Sequence, residues 1–167
     1  MTPLDALPAD SRIWVFAANR ALTPEDESRL TAVVERVFHV WTTKSPGVRG
    51  AFEFRDSRFL VVGADEREAR VSGCGIDAMM QWIKQLEAES GLRLVDRMQV
   101  FWRGADGVVR AAHREEFRRL LGAGEVTQET RVFDTAASTN EVFLRERFEL
   151  PLAASWHAKI FASETAR

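Results

Sequence analysis

The sequence predicts an α+β domain, on three observations. Its composition is that of a globular chain, with 46% hydrophobic and 29% charged residues among 167. Apolar residues recur with the period of a strand in some segments and of a helix in others. Strands and helices predicted in this way alternate along the first hundred residues. A chain of this length buries a large core without disulfides or metal, so we expect one domain over residues 1–167.

The first two predicted elements are a strand and a helix. Residues 12–18 are apolar on both alternating faces, which is typical of a strand that is covered on both sides. Thr23 is a helix N-cap, followed by Pro24 and three acidic residues in the first turn. Apolar residues then recur at spacings of three and four from Leu30 to Trp41, which predicts a continuous amphipathic helix.

A hairpin, a second helix and a fourth strand follow. Residues 51–56 alternate between apolar and polar side chains, and after a turn residues 58–64 are apolar on both faces. Residues 76–86 place apolar side chains at helical spacing, and Gly91 is a C-cap for this helix. Residues 98–103 are predicted to form the fourth strand.

This order of elements, β-α-β-β-α-β, is that of ferredoxin-like folds. There the first and third strands lie in the middle of an antiparallel sheet, and the two strands apolar on both faces are the first and the third. The helices of such a fold cover one face only, so a second layer must cover the other. We therefore expect a ferredoxin-like core over about 11–103. We also expect a C-terminal α/β extension, about 104–167, that covers or extends the antiparallel sheet.

The extension contains further short elements. The patterns predict a fifth strand, a short helix and a sixth strand at 108–110, 114–121 and 130–134. Ser138 and Glu141 have the spacing of a capping box, which predicts a final helix to about Phe148. The tail over 152–161 is apolar enough to dock on the domain.

Charge and cysteine content narrow the classes of function. Lys and Arg number 23 against 25 Asp and Glu, interspersed along the chain, so we expect no nucleic-acid partner. The one cysteine, Cys74, cannot form an internal disulfide, which favours a reducing compartment. Residues 1–10 lack the features of a signal peptide, and no apolar run is long enough to span a membrane. The expectation is a cytoplasmic protein without membrane insertion.

Cys74 is the first candidate catalytic residue. It lies between Gly73 and Gly75 before a predicted helix, where backbone N–H groups and the helix dipole stabilise a thiolate. Nucleophilic catalysis also needs a base, and although no histidine is close to Cys74 in sequence, His39, His113 or His157, which follows Trp156, could approach it in the fold. The alternative is a structural cysteine that is simply buried.

A second candidate site would bind a small anionic ligand. Arg20 follows the first strand and Arg97 precedes the fourth, so antiparallel pairing of these strands would bring the two side chains together. The backbone N–H groups of Gly73 and Gly75 would complete an anion site with them. The alternative is a surface ion pair with Asp96, worth less than about 1 kcal/mol.

Motifs for nucleotides and metals are missing from the sequence. A Walker A motif needs two glycines before a Lys-Ser or Lys-Thr pair, and before Lys44-Ser45 those positions hold Phe38 and Thr43. The three histidines have no i, i+4 spacing, and there is no second cysteine. We therefore expect neither a metal nor a cofactor.

Four short segments carry a resemblance, namely SRIW at 11–14, GCGID at 73–77, DRM at 96–98 and SWH at 155–157. With these, the whole chain resembles an uncharacterised bacterial protein family of about this length, whose members are often labelled ABC transporter ATPases. The resemblance brings no catalytic residue to this chain. The label implies an ATP-dependent function associated with transport, which the missing Walker A lysine argues against.

These observations favour a binding or interaction module. We expect a homo-oligomer, because ferredoxin-like sheets commonly assemble through their faces or edges. A thiol-dependent enzyme or redox sensor that uses Cys74 is the alternative, and an ATP-dependent transport-associated protein is the third hypothesis. The sequence leaves open whether the protein is an enzyme.

Overall fold

The computed structural model describes residues 4–142 and 148–162, and within these ranges it confirms the predicted α+β class. The strands are β1 (Arg12–Ala17), β2 (Arg49–Arg55), β3 (Phe59–Asp65), β4 (Gln99–Arg103), β5 (Val109–His113), β6 (Arg131–Phe133) and β7 (Glu149–Pro151). The helices are α1 (Pro24–Lys44), α2 (Gly73–Ser90), α3 (Arg114–Gly122), α4 (Asn140–Val142) and α5 (His157–Ala162). In the described part of the chain, no helix combines the length and the apolarity needed to cross a membrane.

The first sheet contains β1, β2 and β3, all antiparallel, with β3 in the centre. Every residue of β3 is buried, as expected of a strand that is apolar on both faces. One face of the sheet packs against α1 and α2, whose buried side chains include Leu30, Trp41, Met79 and Ile83. This arrangement forms the helical layer that the sequence predicts.

Local signals place the start of α1 and the reversal between β2 and β3. The Thr23 Oγ1 accepts the backbone N–H of Asp26, and the Asp26 carboxylate accepts the backbone N–H of Thr23, so a capping box closes the first turn. Asp56 and Ser57 have φ values of 52° and 46°. Two successive positive φ values are those of the tight turn that matches the twist of a hairpin.

The second sheet has the strand order β5-β4-β6-β7 and covers the other face of the first sheet. Phe59 lies between the two sheets, with ring centroids 5.5 Å from Phe101, 4.8 Å from Phe133 and 5.1 Å from Phe148. The far face of the second sheet packs against α3 and α5. The covering layer that two-sided apolar strands require is therefore formed by strands of the extension together with β4, which was expected in the first sheet.

The pairing expected between β1 and β4 does not form. The fourth strand pairs with β5 and β6 in the second sheet, which leaves β1 at the edge of the first. Phe101 and Trp102, consecutive in β4, are both buried and face opposite sides of their sheet. A strand with two apolar faces needs a layer on each side, and β4 obtains one from the first sheet and one from α3 and α5.

Near the C-terminal end of the described residues, the structure differs from two further predictions. The final helix begins at Asn140 rather than at Ser138, and residues 143–147, predicted as its continuation, lie outside the described residues. Phe148 precedes β7, a three-residue strand that ends in proline and that the pattern of side chains did not reveal. The predicted docking of the tail is confirmed, because Leu152 and Phe161 are buried.

Candidate functional site

The outer edge of β1 is paired only at its two ends. The N–H of Ile13 donates to the carbonyl of Ser138 at 3.0 Å, and the N–H of Ala17 donates to the carbonyl of Leu94 at 3.2 Å. Alternate residues direct their backbone groups to the same edge of a strand, so the N–H and C=O of Val15 also face outward. Among the described residues the structure gives neither group of Val15 a hydrogen-bond partner.

A cavity of about 610 Å³ opens along this edge. The chain around Leu94 closes it at the C-terminal end of β1, and the chain before Ser138 closes it at the other end. Large apolar side chains from both layers line it, namely Trp14, Met80, Phe101 and Trp156. This volume is within the usual range for sites that bind small molecules.

Three arginines and one aspartate give the cavity a positive lining, and they are Arg12, Arg97, Arg114 and Asp96. The Arg12 guanidinium lies over the Trp14 ring, with Cζ 4.7 Å from the centroid. Asp96 Oδ1 accepts a backbone N–H two residues further along at 2.9 Å, so this carboxylate closes a turn. None of the three arginines forms an ion pair with a described residue. The cavity therefore attracts anions.

The backbones of Arg97 and Arg114 lie next to each other. The N–H of Arg114 donates to the carbonyl of Met98 at 2.8 Å, and Met98 directly follows Arg97. Arg114 is also the first residue of α3, where the helix dipole disfavours a positive charge. The two arginines therefore leave the backbone close to each other at the wall of the cavity.

Trp156 is held in place at the wall of the cavity. Its Nε1 donates to Oδ1 of Asp134 at 2.9 Å, and its ring stacks on that of His157 with the centroids 3.9 Å apart. A fixed indole face of this kind can pack against a planar or apolar part of a ligand.

His157, a candidate catalytic base, lies behind Trp156 and does not line the cavity. It is 3% exposed, and Nδ1 has no hydrogen-bond partner among the described residues. Burial lowers the pKa of His157 to about 4; the carboxylate of Asp134 opposes this shift, and the charge of Arg114 adds to it. The ring is therefore neutral at neutral pH, and its visible role is to support Trp156.

Cys74 lies away from the cavity, on the first turn of α2. The N-cap of this helix is Ser72, whose Oγ accepts the N–H of Gly75 at 3.1 Å, so the Gly-Cys-Gly segment belongs to the helix rather than to a turn before it. The side chain of Cys74 is exposed, which overturns the alternative of a buried structural cysteine. Its thiol forms no hydrogen bond with a described histidine or carboxylate.

Gly75 has a packing role. A Cβ at this position would lie 2.9 Å from Cδ1 of Trp41, closer than a side chain could tolerate. The carbonyl of Gly75 also accepts the indole N–H of Trp41 at 3.1 Å. The glycine lets α1 and α2 approach closely.

Arg20 takes part in the start of α1. Its guanidinium donates to both carboxylate oxygens of Asp26, at 2.6 and 3.2 Å. Together with the hydrogen bonds from Thr23, this ion pair holds the pKa of Asp26 well below its usual range. Arg20 thus stabilises a helix N-terminus and does not line the cavity.

The structure does not bring together the four residues of the sequence-based anion site. The N–H of Asn19 donates to the carbonyl of Arg93 at 3.0 Å, just beyond the C-terminal end of α2, which places Arg20 near that end. Gly73 and Gly75 form the opposite end of the same helix, and 18 residues make a helix about 27 Å long. Of the four, only Arg97 lines the cavity.

The sites predicted from the sequence do not include Arg12, Arg114 or Trp14, which line the cavity. Two of them carry a local signal. Arg12 is the only charged residue of an otherwise apolar strand, and Arg114 opens a helix at the position that favours an acid. The pattern of apolar residues does not show that the edge of β1 is unpaired between its hydrogen bonds to Ser138 and Leu94.

Two other kinds of site are relevant to the described part of the chain, a second cavity and a metal centre. A smaller cavity of about 380 Å³ lies between the β4–β5 hairpin and α3, but its two charged groups nearest the hairpin, Arg110 and Asp106, pair with each other at 2.8 Å. Within the described ranges no group of three or more His, Cys, Asp or Glu residues could hold a metal ion.

Comparison of the chain with protein-family models, with curated proteins and with solved structures finds no match. The geometry of the cavity at the edge of β1 is therefore the basis for a functional argument.

Proposed function

We propose that this protein is a binding module that holds a small anionic ligand in the cavity at the edge of β1. The observation that carries the proposal is the lining, in which Arg12, Arg97 and Arg114 face about 610 Å³ of space with Asp96 as the opposing charge. The ligand combines one anionic group with an apolar or aromatic body.

Chemistry and size support this class of ligand. A guanidinium presents a planar fork of donors that matches a carboxylate or a phosphate, and its charge remains at any physiological pH. The apolar walls suit the rest of the ligand, because Trp14 and Trp156 offer aromatic surface and Met80 adapts its shape. Arg12 and Arg97 are exposed and Arg114 is half-buried, so an anion can reach all three from solvent.

We also propose that the first part of the chain is a ferredoxin-like unit opened between β1 and β4. Support comes from the C-terminal end of β1, where Ala17 and Asn19 donate to the carbonyls of Leu94 and Arg93. The chain that leads into β4 thus meets β1 and then turns away. The cavity lies where the rest of that pairing would be.

The oligomeric state and the location in the cell stay predictions. A homo-oligomer is testable by light scattering at two protein concentrations, and a monomer at the higher concentration would contradict it. A cytoplasmic location agrees with the single cysteine but needs a localisation experiment.

The experiment for the proposed function is a calorimetric titration of the protein at low salt with 3-phenylpropionate, with phenyl phosphate and with the neutral 3-phenylpropanamide. We expect at least one of the anions to bind and the amide to bind at least tenfold more weakly. Arg97→Gln should lower the affinity for the anion about three- to tenfold, since a charge-assisted hydrogen bond contributes about 1.5–3 kcal/mol when it is shielded and less at an exposed residue such as Arg97.

Arg29→Gln is the matched control, because it removes the same charge from an exposed residue outside the cavity. Equal losses for the two variants, or no binding of any anion, would contradict the proposal. Binding of ATP with magnesium in strong preference to both anions would instead favour the transport-associated hypothesis.

A further inference from the structure

We infer that the ligand is a short peptide with a free C-terminal carboxylate, two or three residues long, which pairs with β1 at Val15 as an added strand. This inference rests on the proposed function of the same cavity. It adds that the backbone of the protein, and not only its arginines, recognises the ligand.

The outer edge of β1 has an unpaired residue in its middle. Ile13 and Ala17 use their outward N–H groups in bonds to Ser138 and Leu94, while the N–H and C=O of Val15 between them have no partner among the described residues. Strand edges with unpaired N–H and C=O groups are templates for pairing with another extended chain. Here the template is confined to one residue and opens into the cavity that Val15 itself lines.

The length of the opening sets the length of the ligand. Ile13 and Ala17 are four residues apart, which corresponds to about 13 Å along an extended strand. The chain segments at each closure occupy part of that distance. Two or three extended residues, about 7–10 Å, fill the remainder, whereas a longer peptide would collide with the segments that carry Leu94 and Ser138.

Charge identifies which group of the peptide lies beside Arg97, three residues beyond Leu94. Arg97 and Arg114 line the cavity from neighbouring backbone positions, and neither forms an ion pair with a described residue. A terminal carboxylate accepts two parallel hydrogen bonds from a guanidinium, a geometry that an internal peptide group cannot offer.

The walls determine the side-chain preference. Successive residues of a paired strand direct their side chains to opposite faces, and the residue opposite Val15 points to the same face as Val15. That face is the one toward Phe101, between the two sheets, while the other is lined by Trp14 and Met80. The site therefore selects apolar or aromatic side chains.

The test compares ligands rather than protein variants, so that it does not depend on the folding of an altered β1. The probes for calorimetry are the tripeptide Ala-Phe-Ala, its C-terminal amide, the two peptides with one amide nitrogen methylated in turn, and 3-phenylpropionate. We expect the tripeptide to bind at least fivefold more tightly than 3-phenylpropionate. Methylation of one amide nitrogen, and conversion of the terminal carboxylate to the amide, should each cost at least fivefold.

A second readout follows the backbone directly. Saturation with the tripeptide should slow hydrogen exchange of the Val15 amide at least tenfold, whereas saturation with 3-phenylpropionate should leave it unchanged. If 3-phenylpropionate binds as tightly as the tripeptide, or if both methylated peptides bind as well as the parent, the inference is wrong while the proposed function stands. If no anion in either titration binds, both are wrong.

Discussion

The backbone N–H of Ala17 donates a hydrogen bond of 3.2 Å to the carbonyl of Leu94. Two residues earlier, the outward N–H of Val15 has no partner among the described residues. In the free protein we expect the Val15 amide to exchange with deuterium at least tenfold faster than those of Ile13 and Ala17, because an amide without a partner needs no opening step. Residue-resolved NMR measures these rates, and equal protection at all three positions would show that the edge is closed in solution.

A second prediction concerns the contact between the sheets. Phe59→Ala should lower the free energy of unfolding by about 3–5 kcal/mol, because the ring is fully buried among three other phenylalanines. Phe54→Ala, in the same hairpin but half-buried, is the control and should cost clearly less. Urea denaturation measures both. Similar losses would mean that the second sheet does not cover the first as described.

His157 makes stability depend on pH. Its pKa is lowered to about 4 in the folded protein, against 6.5 for an ordinary histidine, so the unfolded chain binds the proton more readily between these values. Stability is therefore complete above about pH 6.5 and falls by up to about 3 kcal/mol as the pH drops toward 4. His157→Phe keeps an aromatic ring against Trp156 and removes the titration.

The measurement for His157 is thermal unfolding of both proteins from pH 7.5 to 5. The unmodified protein should lose stability more steeply over this range than the His157→Phe variant. Parallel curves would show that the buried histidine does not contribute to acid sensitivity.

Asp26 makes stability depend on pH at more acidic values than His157 does. The ion pair with Arg20 and the bonds from Thr23 keep its pKa below the usual range, so its contribution is present above about pH 4 and is lost as the pH falls further. Asp26→Asn should cost about 1–3 kcal/mol at pH 7, and this difference should shrink at pH 3. Glu25→Gln, on the same turn with an exposed side chain, is the control and should cost less than about 0.5 kcal/mol. An equal cost for Asp26→Asn at both values of pH would contradict the role of the charge.

Cys74 provides a test of the thiol hypothesis. Because its side chain is exposed and does not line the cavity, it should react with a thiol reagent in the native protein. Neither that modification nor Cys74→Ser should change the affinity for an anionic ligand. Loss of ligand binding or of a detectable activity on either change would restore Cys74 as the functional centre.

The sequence predicted the elements of the first sheet well because their signals are local. The Thr23 cap, the periodic apolar residues of α1 and the two-sided apolar strand β3 each depend on neighbours in the chain. The need for a second layer also followed from the sequence, since a strand with two apolar faces cannot leave one in water. Short elements with few signals, such as β7, were not predictable in this way.

The partner of β4 was not predictable, and the site was missed for the same reason. Phe101 and Trp102 show that β4 is buried on both faces, but any two apolar layers satisfy that requirement. Because β4 pairs within the second sheet, it does not pair with β1, and the edge of β1 stays unpaired at Val15. The position of Arg97 before β4 predicts it as a site residue. Arg114 is distant in sequence, and only the folded structure, through its hydrogen bond to the carbonyl of Met98, places it near Arg97.

The most direct measurement is an NMR titration of the protein with 3-phenylpropionate, read as changes in backbone amide shifts. We expect the largest changes at Val15, Arg97 and Arg114, and none around Gly73 and Cys74 at the start of α2. Changes that cluster at the start of α2, or no changes up to millimolar ligand, would contradict the claim that the open edge of β1 is the binding site.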